Sequence, residues 1–320
     1  MTDSHSSKSP TDFIPIATSG GVTLFAPASS FISFTNSPYY SHQHALADDI
    51  YPFSAGVSAF SPVYGDLVEA FAVRSPNSQY FRVEEDERLL IIRAAENPDV
   101  VVRILHTNCT LDILRRLTVG AAIGRIVRSG FYDFWTDPHI HVEVRKPTQF
   151  LRAKGSLPMI PLTCCSSLIG TLRETVPPLR IARVNENYTL VEPIEDVFMT
   201  LGPLQGFGCR VGKATGILDA GIPHYRMGSV HLEEGSVVNP GDHVTLWGMQ
   251  IGTVTECHRE LALFASQPMM VCSDDLVIRG LSVYTWVSRH PLLKLIPLRP
   301  HHPVWQEGDF VKLRLASYVR

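Results

Sequence analysis

"FWTDPHIHVEVRKP", residues 134–147, sets two histidines one residue apart in a run that alternates polar and aliphatic. Successive side chains on a β-strand take opposite faces. As a strand, the run gathers His139, His141, Glu143 and Arg145 on one face and Ile140, Val142 and Val144 on the other. The aliphatic face predicts a core beneath. The polar face carries two imidazoles side by side, an arrangement suited to metal binding or proton transfer, or simply to solvent.

The surrounding chain repeats this strand signal. "RLLIIRAAENPDVVVRILH" reads as a hairpin, with strands 88–94 and 100–106 about a turn at Glu96-Asn97-Pro98-Asp99. "SPVYGDLVEAFAVR" reads as a turn at Gly65-Asp66 followed by a strand, and "TLDILRRLTVG" (110–120) as one short helix. Sustained helical periodicity is scarce, so the expected fold is mainly β. A Pro/Gly-rich stretch, "KPTQFLRAKGSLPMIPL", suggests a junction near residue 150. The expected plan is a flexible Ser/Thr-rich tail over 1–20, a first β domain over 21–150, and a second β-rich barrel or sandwich over 151–320.

Composition narrows the function. The chain has 320 residues, 45% of them hydrophobic, enough for two domains. A net charge of −3 lacks the basic excess of a nucleic-acid binder. There is no run of ~18 apolar residues to span a membrane, and the polar start does not read as a signal peptide, so a cytoplasmic location is the expectation. Six cysteines without CxxC spacing are expected as buried, reduced thiols rather than a zinc knot. "GFGCRVG" (206–212) does not have the spacing of a dinucleotide fingerprint. No P-loop, HExxH or GxSxG elbow is present.

Thirteen histidines remain, and those of the first half cluster in order with a carboxylate. The segments "HALAD" (44–48), "SPVYGDLVEAF" (61–71), "VVVRILH" (100–106), "LTVGAAIGRIVRSG" (117–130) and "DPHIHVEVR" (137–145) resemble, in that order, the lysostaphin-type zinc metallopeptidases. The resemblance covers roughly residues 20–147. It implies an antiparallel, duplicated-hybrid-motif type sheet with a groove over one face. It also implies Zn2+ held by His44, Asp48 and His141, with His106 and His139 as the two catalytic histidines beside it.

Asp49 is the alternative to Asp48, because "DIY" after the doublet also suits a ligand. His42 is read as a neighbour that substitutes if the loop shifts register. Two departures stand out: Leu46 replaces a glycine of the family pattern, and the aromatic loop "GFYDFWTDP" (130–138) replaces a small-residue one. His224, His231, His243, His258, His290, His301 and His302 have no ligand-spaced companions.

Two imidazoles and one carboxylate leave zinc a vacant position for water, the pattern of a catalytic site. The expected activity is therefore metal-assisted hydrolysis of an amide bond in a peptide or peptide-like substrate. The alternatives are a non-catalytic partner-binding module of the same fold and a zinc hydrolase of a non-peptide amide. Oligomeric state is not legible.

Overall fold

The computed structural model describes residues 12–52, 58–152, 154–163, 166–274, 276–301 and 305–317. Among these, the chain is almost entirely β, with a single-turn α-helix and a three-residue 3-10 turn. In the first half the strands are β1 (Phe13–Ser19), β2 (Val22–Pro27), β3 (Phe31–Ser33), β4 (Asp48–Tyr51), β5 (Ser58–Phe60) and β6 (Gly65–Ala72). They continue with β7 (Arg88–Ala94), β8 (Val101–Thr107), β9 (Arg116–Leu117), β10 (Ala122–Arg125), β11 (Ile140–Arg145) and β12 (Ile160–Pro161). The helix α1 (Tyr40–Gln43) lies between β3 and β4.

The main sheet runs antiparallel in the order β3–β4–β11–β8–β7–β6. One face of β11, Ile140, Val142 and Val144, packs on Val102 and Ile104 of β8, Leu90 and Ile92 of β7, and Ile16, Leu24 and Ala26 of the β1–β2 hairpin. Each such fully buried aliphatic contributes about 1.5–3 kcal/mol. The hairpin read over 88–106 is present as β7–β8. Gly65 opens β6 rather than a turn. A Cβ there would lie 2.3 Å from Arg93 O, so the close approach of β6 to β7 at this point requires glycine.

Two local expectations fail. Residues 110–120 form turns and the short strand β9, not a helix. Their backbone is taken by β6, with Leu114 N donating to Leu67 O at 2.6 Å and Leu67 N to Arg115 O at 3.0 Å. Part of the supposed tail, Phe13–Ser19, is the strand β1, whose Ile16 and Ala17 are fully buried against β2 and β12. Residues 1–11 lie outside the described residues.

The second half contains a closed barrel. Strand Leu204–Val211 pairs Ala214–Ile222, which pairs Met227–Leu232, then Leu261–Ser266, Met249–His258 and His243–Leu246, and the last returns to Leu204–Val211. Every pairing is antiparallel. Closure leaves this ring no free edge, and Phe207, Leu218, Val230, Val254 and Phe264 help fill its interior. The halves are joined by hydrogen bonds as well as packing. β3 pairs with Thr285–Val287, which itself pairs with the barrel strand Leu204–Val211.

That junction carries a buried polar clamp. Asp219, on barrel strand Ala214–Ile222, accepts from Ser33 Oγ at 2.8 Å, Phe34 N at 2.7 Å and Thr35 N at 3.1 Å. Its carboxyl is pushed up to about 7, because burial outweighs those hydrogen bonds. The clamp fixes the chain just before α1, and so the position of α1 itself.

Candidate metal centre

Strand alternation decides which member of the Asp48-Asp49 doublet reaches the polar face of β11. Asp49 is the residue directly opposite His141 in the β4–β11 register, and its Oδ1 lies 2.8 Å from His141 Nδ1. Asp48 points away from this group. It is fully buried with no hydrogen bond to either carboxylate oxygen, and burial first, then Asp49 and Asp219, holds its carboxyl well above the usual range. The preference for Asp48 as ligand is therefore corrected to Asp49.

The same correction applies to the first histidine. α1 is one turn long, and residues two apart on a helix point roughly 200° apart. His42 turns inward, 1% exposed. His44, the residue capping α1, turns outward, where its side chain is 42% exposed, stacks near Tyr40 and lies 3.8 Å from Glu256. His42 Nε2 is 3.1 Å from His141 Nδ1 and 3.2 Å from Asp49 Oδ1. The three donors that converge are thus those of His42, Asp49 and His141, all buried and all within 4.8 Å of one another.

Each imidazole is aimed by a hydrogen bond on its far side. His42 Nδ1–H donates to Phe34 O at 2.9 Å, in the segment held by Asp219, which leaves the Nε2 lone pair facing inward. His141 Nε2–H donates to Glu143 Oε1 at 3.0 Å, leaving Nδ1 facing inward. Glu143 is in turn held by Arg145 Nε at 2.6 Å. Burial opposes its charge, but His141, Arg103 and Arg145 outweigh burial and hold its carboxyl well below the usual range. Such outer partners fix tautomer and orientation in metal sites.

The group fits a tetrahedral cation. Zinc donors at about 2.0–2.2 Å from the ion stand roughly 3.3–3.5 Å apart at tetrahedral angles. The three contacts here are 2.8, 3.1 and 3.2 Å, a few tenths of an ångström tighter. Two inward lone pairs and a carboxylate also need positive charge among them. In the chain alone a proton fills that role: burial works against it, yet Asp49 and Glu143 push His141 up to about 9. Asp49 itself stays ionised, because His139, His42 and His141 outweigh its burial.

His106 and His139 stand beside this group, as the resemblance implied. His139 Nδ1–H donates to Asp137 O at 2.9 Å, and its Nε2 lies 3.4 Å from Asp49 Oδ2. Burial, aided by His106 and His141, pushes His139 down to about 3, so it is neutral. The His106 ring centroid is 5.1 Å from that of His139 and 6.1 Å from that of His141. His106 Nδ1–H donates to Glu87 Oε1 at 2.8 Å, and Ser129 Oγ holds Glu87 Oε2 at 2.8 Å. Burial lowers His106 despite Glu87, so this ring is neutral too. The space among these groups is small, about 30 Å3, and is roofed by Tyr39, Phe131, Tyr132 and Tyr225.

Residues 24–161 match the N-terminal domain, and residues 192–316 the C-terminal domain, of a family described as a domain of unknown function (DUF8155). The chain belongs to the DUF8155 family. No curated protein and no solved structure matches it. Within this DUF8155 chain, the five inward-facing residues all lie in the N-terminal domain. The C-terminal domain supplies Asp219, Tyr225 and the buried Lys294, whose Nζ reaches Asp137 Oδ2 at 2.6 Å and Trp135 O at 2.9 Å.

Several of these partners carried no signal in the sequence. Glu87 meets His106 only through the β7–β8 register, in which Arg88 faces Thr107. Asp219 and Lys294 lie far along the chain from everything they hold. Glu143 was visible, two residues after His141 on the same face. Among the described residues, no helix is long and apolar enough to cross a membrane.

Proposed function

We propose that this chain is a zinc-dependent hydrolase that cleaves an amide bond in a peptide. The observation that carries this reading is the convergence of His42 Nε2, Asp49 Oδ1 and His141 Nδ1 within 3.2 Å of each other, each imidazole aimed from behind. Two imidazoles and one carboxylate leave a fourth position of a tetrahedral ion without a protein ligand. When bound, the ion supplies Lewis acidity, acidifying water and polarising a carbonyl.

The chain's own residues supply the rest. His106 and Glu87 form a dyad in which the inward Nε2 accepts a proton while the Glu87 carboxylate stabilises the imidazolium that results. His139, held neutral with Nδ1–H on the Asp137 carbonyl, presents an Nε2 lone pair to the reacting centre and orders the water by accepting a hydrogen bond from it. General acid–base help of this kind is worth typically ~100- to 10,000-fold. The buried walls exclude bulk water, which strengthens each of these interactions.

One observation favours a second reading, a metal-bearing module that binds a partner without turnover. The cavity admits an ion or a water but no peptide until the aromatic roof moves. Two measurements separate the readings. Metal analysis should give one zinc per chain in wild type and in His44→Ala, and none in His42→Ala or His141→Ala. A peptide panel should then be cleaved by the zinc-loaded chain, blocked by chelator and lost in His106→Ala. Stoichiometric zinc without cleavage of any peptide would select the binding module.

A further inference from the structure

Beside the metal centre lies a second, larger cavity of about 220 Å3, formed where the two domains meet. The first half of the chain contributes Phe31, Tyr51 and Asp137-Pro138, and the second half Tyr188, Leu190, Tyr284, Trp286, Leu292 and Lys294. Its near wall is one ring thick. The Tyr51 ring is stacked on Phe31 at 4.4 Å and lies tilted against the His139 ring at 4.6 Å. Its mouth is marked by the exposed Pro138 and Arg183, and Pro138 directly precedes His139.

We propose that this cavity is a side-chain subsite, built jointly by both domains, that takes an aromatic or large aliphatic group of the substrate next to the scissile amide. The proposal rests on the hydrolase reading for the word substrate, but not for the pocket. Three features fix the occupant. The walls are mainly ring faces and leucines, with every lining aromatic at most 8% exposed. The polar floor is already satisfied: Lys294 is paired with Asp137, contacts Trp135 O, and lies 4.2 Å over the Tyr188 ring, while Tyr188 Oη donates to Asp137. Arg183 stands at the mouth, so at the floor a charged group would meet no unpaired opposite charge, whereas an apolar ring replaces water against apolar walls.

Size agrees with this. A dry protein cavity of about 150 Å3 accepts benzene, so 220 Å3 holds one phenyl or isobutyl group with room to spare. Position agrees as well: Tyr51 lines both cavities, and Pro138, at the mouth of this one, directly precedes His139 of the metal centre. The C-terminal domain then acquires a specific role, since without it the pocket has no far wall.

Two substitutions that change the pocket in opposite senses test this. Leu292→Phe narrows it and Leu190→Ala widens it, both measured beside wild type for zinc content and melting temperature. With zinc-loaded protein and peptides differing at one position, wild type should prefer Phe or Leu over Gly or Asp at least ~10-fold in kcat/KM. Leu292→Phe should abolish that preference, and Leu190→Ala should shift it towards Trp. In metal-free protein, N-acetyl-phenylalanine amide should give saturation-transfer signals with wild type and not with Leu292→Phe, and N-acetyl-glycine amide should give none with either.

Cleavage with the same residue preference in all three proteins overturns the subsite and leaves the hydrolase reading intact. Ring binding that depends on Leu292, with no peptide cleaved, overturns the hydrolase reading and keeps the pocket. If Leu292→Phe does not fold, the shift or its absence in Leu190→Ala decides alone.

Discussion

His141 Nε2 lies 3.0 Å from Glu143 Oε1, and that contact turns the other ring nitrogen of His141 towards Asp49 and His42. Both residues sit on one face of β11, two positions apart, so a single strand supplies a candidate ligand and its orienting group. Glu143→Gln keeps an acceptor for Nε2–H but removes the charge that favours a bound cation. Zinc affinity should fall about 10- to 100-fold, measured by competition with a chromogenic chelator. An unchanged affinity would show that Glu143 serves Arg145 and Arg103 only.

The proton on His141 gives the metal site a defined pH dependence. Its folded pKa, about 9, lies above the ordinary histidine value of 6.5, with Asp49 and Glu143 overcoming burial. A raised basic group contributes stability that is full below 6.5 and lost as pH rises through 9. The metal-free chain should therefore lose thermal stability from pH 6.5 to 9, by roughly 5 °C in Tm. On the proposed reading zinc takes the place of that proton, so the zinc-induced rise in Tm should be larger at pH 9 than at pH 6. Thermal melts at both pH values, with and without chelator, check the sign.

Asp48 should behave in the opposite way from a ligand. Its carboxyl is pushed well above the ordinary carboxylate range in the folded chain, mainly by burial. Above the ordinary carboxylate value the folded chain binds more protons than the unfolded one, so this group costs stability progressively as pH rises. Asp48→Asn removes the ionisation at constant shape. Its Tm should equal or exceed that of wild type at pH 7, with zinc stoichiometry unchanged, whereas Asp49→Asn should lose zinc.

Much of this was legible in the sequence, and the failures have local causes. The alternation in 139–145 fixed one face of β11, and hence His141, His139 and the core beneath them. The first ligand was misread because spacing alone does not show that α1 is a single helical turn, which sends His42 inward and His44 out. Asp48 and Asp49 differ only by strand phase, which depends on the β4–β11 register. Glu87, Asp219 and Lys294 were invisible because each acts across a long sequence separation, where no periodicity links it to its partner.

Lys294 links the second domain to the site in a way that a double substitution can isolate. It is 1% exposed and paired with Asp137, whose backbone carbonyl orients His139. Lys294→Met leaves the Asp137 carboxylate with Tyr188 and Trp135 O without its donor. Removing one partner of a buried pair costs about 3–5 kcal/mol, and the partial exposure of Asp137 places the expected loss near the lower figure. Lys294→Met/Asp137→Asn should recover part of it. Denaturant unfolding of the two variants tests the pair, and recovery of none of the loss would mean that Lys294 acts through its ring contacts alone.

The aromatic roof sets the last expectation. Tyr39 Oη donates to Phe131 O at 2.8 Å, and Tyr225 Oη donates to Asp133 Oδ2 at 2.9 Å, so the loop over the candidate metal centre is tied from the residue just before α1 and from the C-terminal domain. On the proposed hydrolase reading, a substrate reaches the buried His42, Asp49 and His141 only when this loop lifts. If the open state is a minor population, apparent substrate affinity is reduced by that fraction. Tyr39→Phe removes a neutral hydrogen bond worth about 1 kcal/mol, and Tyr225→Phe one to a carboxylate, worth about 1.5–3 kcal/mol, while both keep the ring that fills the roof. Tyr39→Phe should therefore raise kcat/KM up to about 5-fold and Tyr225→Phe about 10-fold or more, chiefly through KM, with zinc affinity unchanged. A fall in kcat at constant KM in Tyr39→Phe would instead make that hydroxyl a participant in the reaction, and the roof a finished wall of the site rather than a gate.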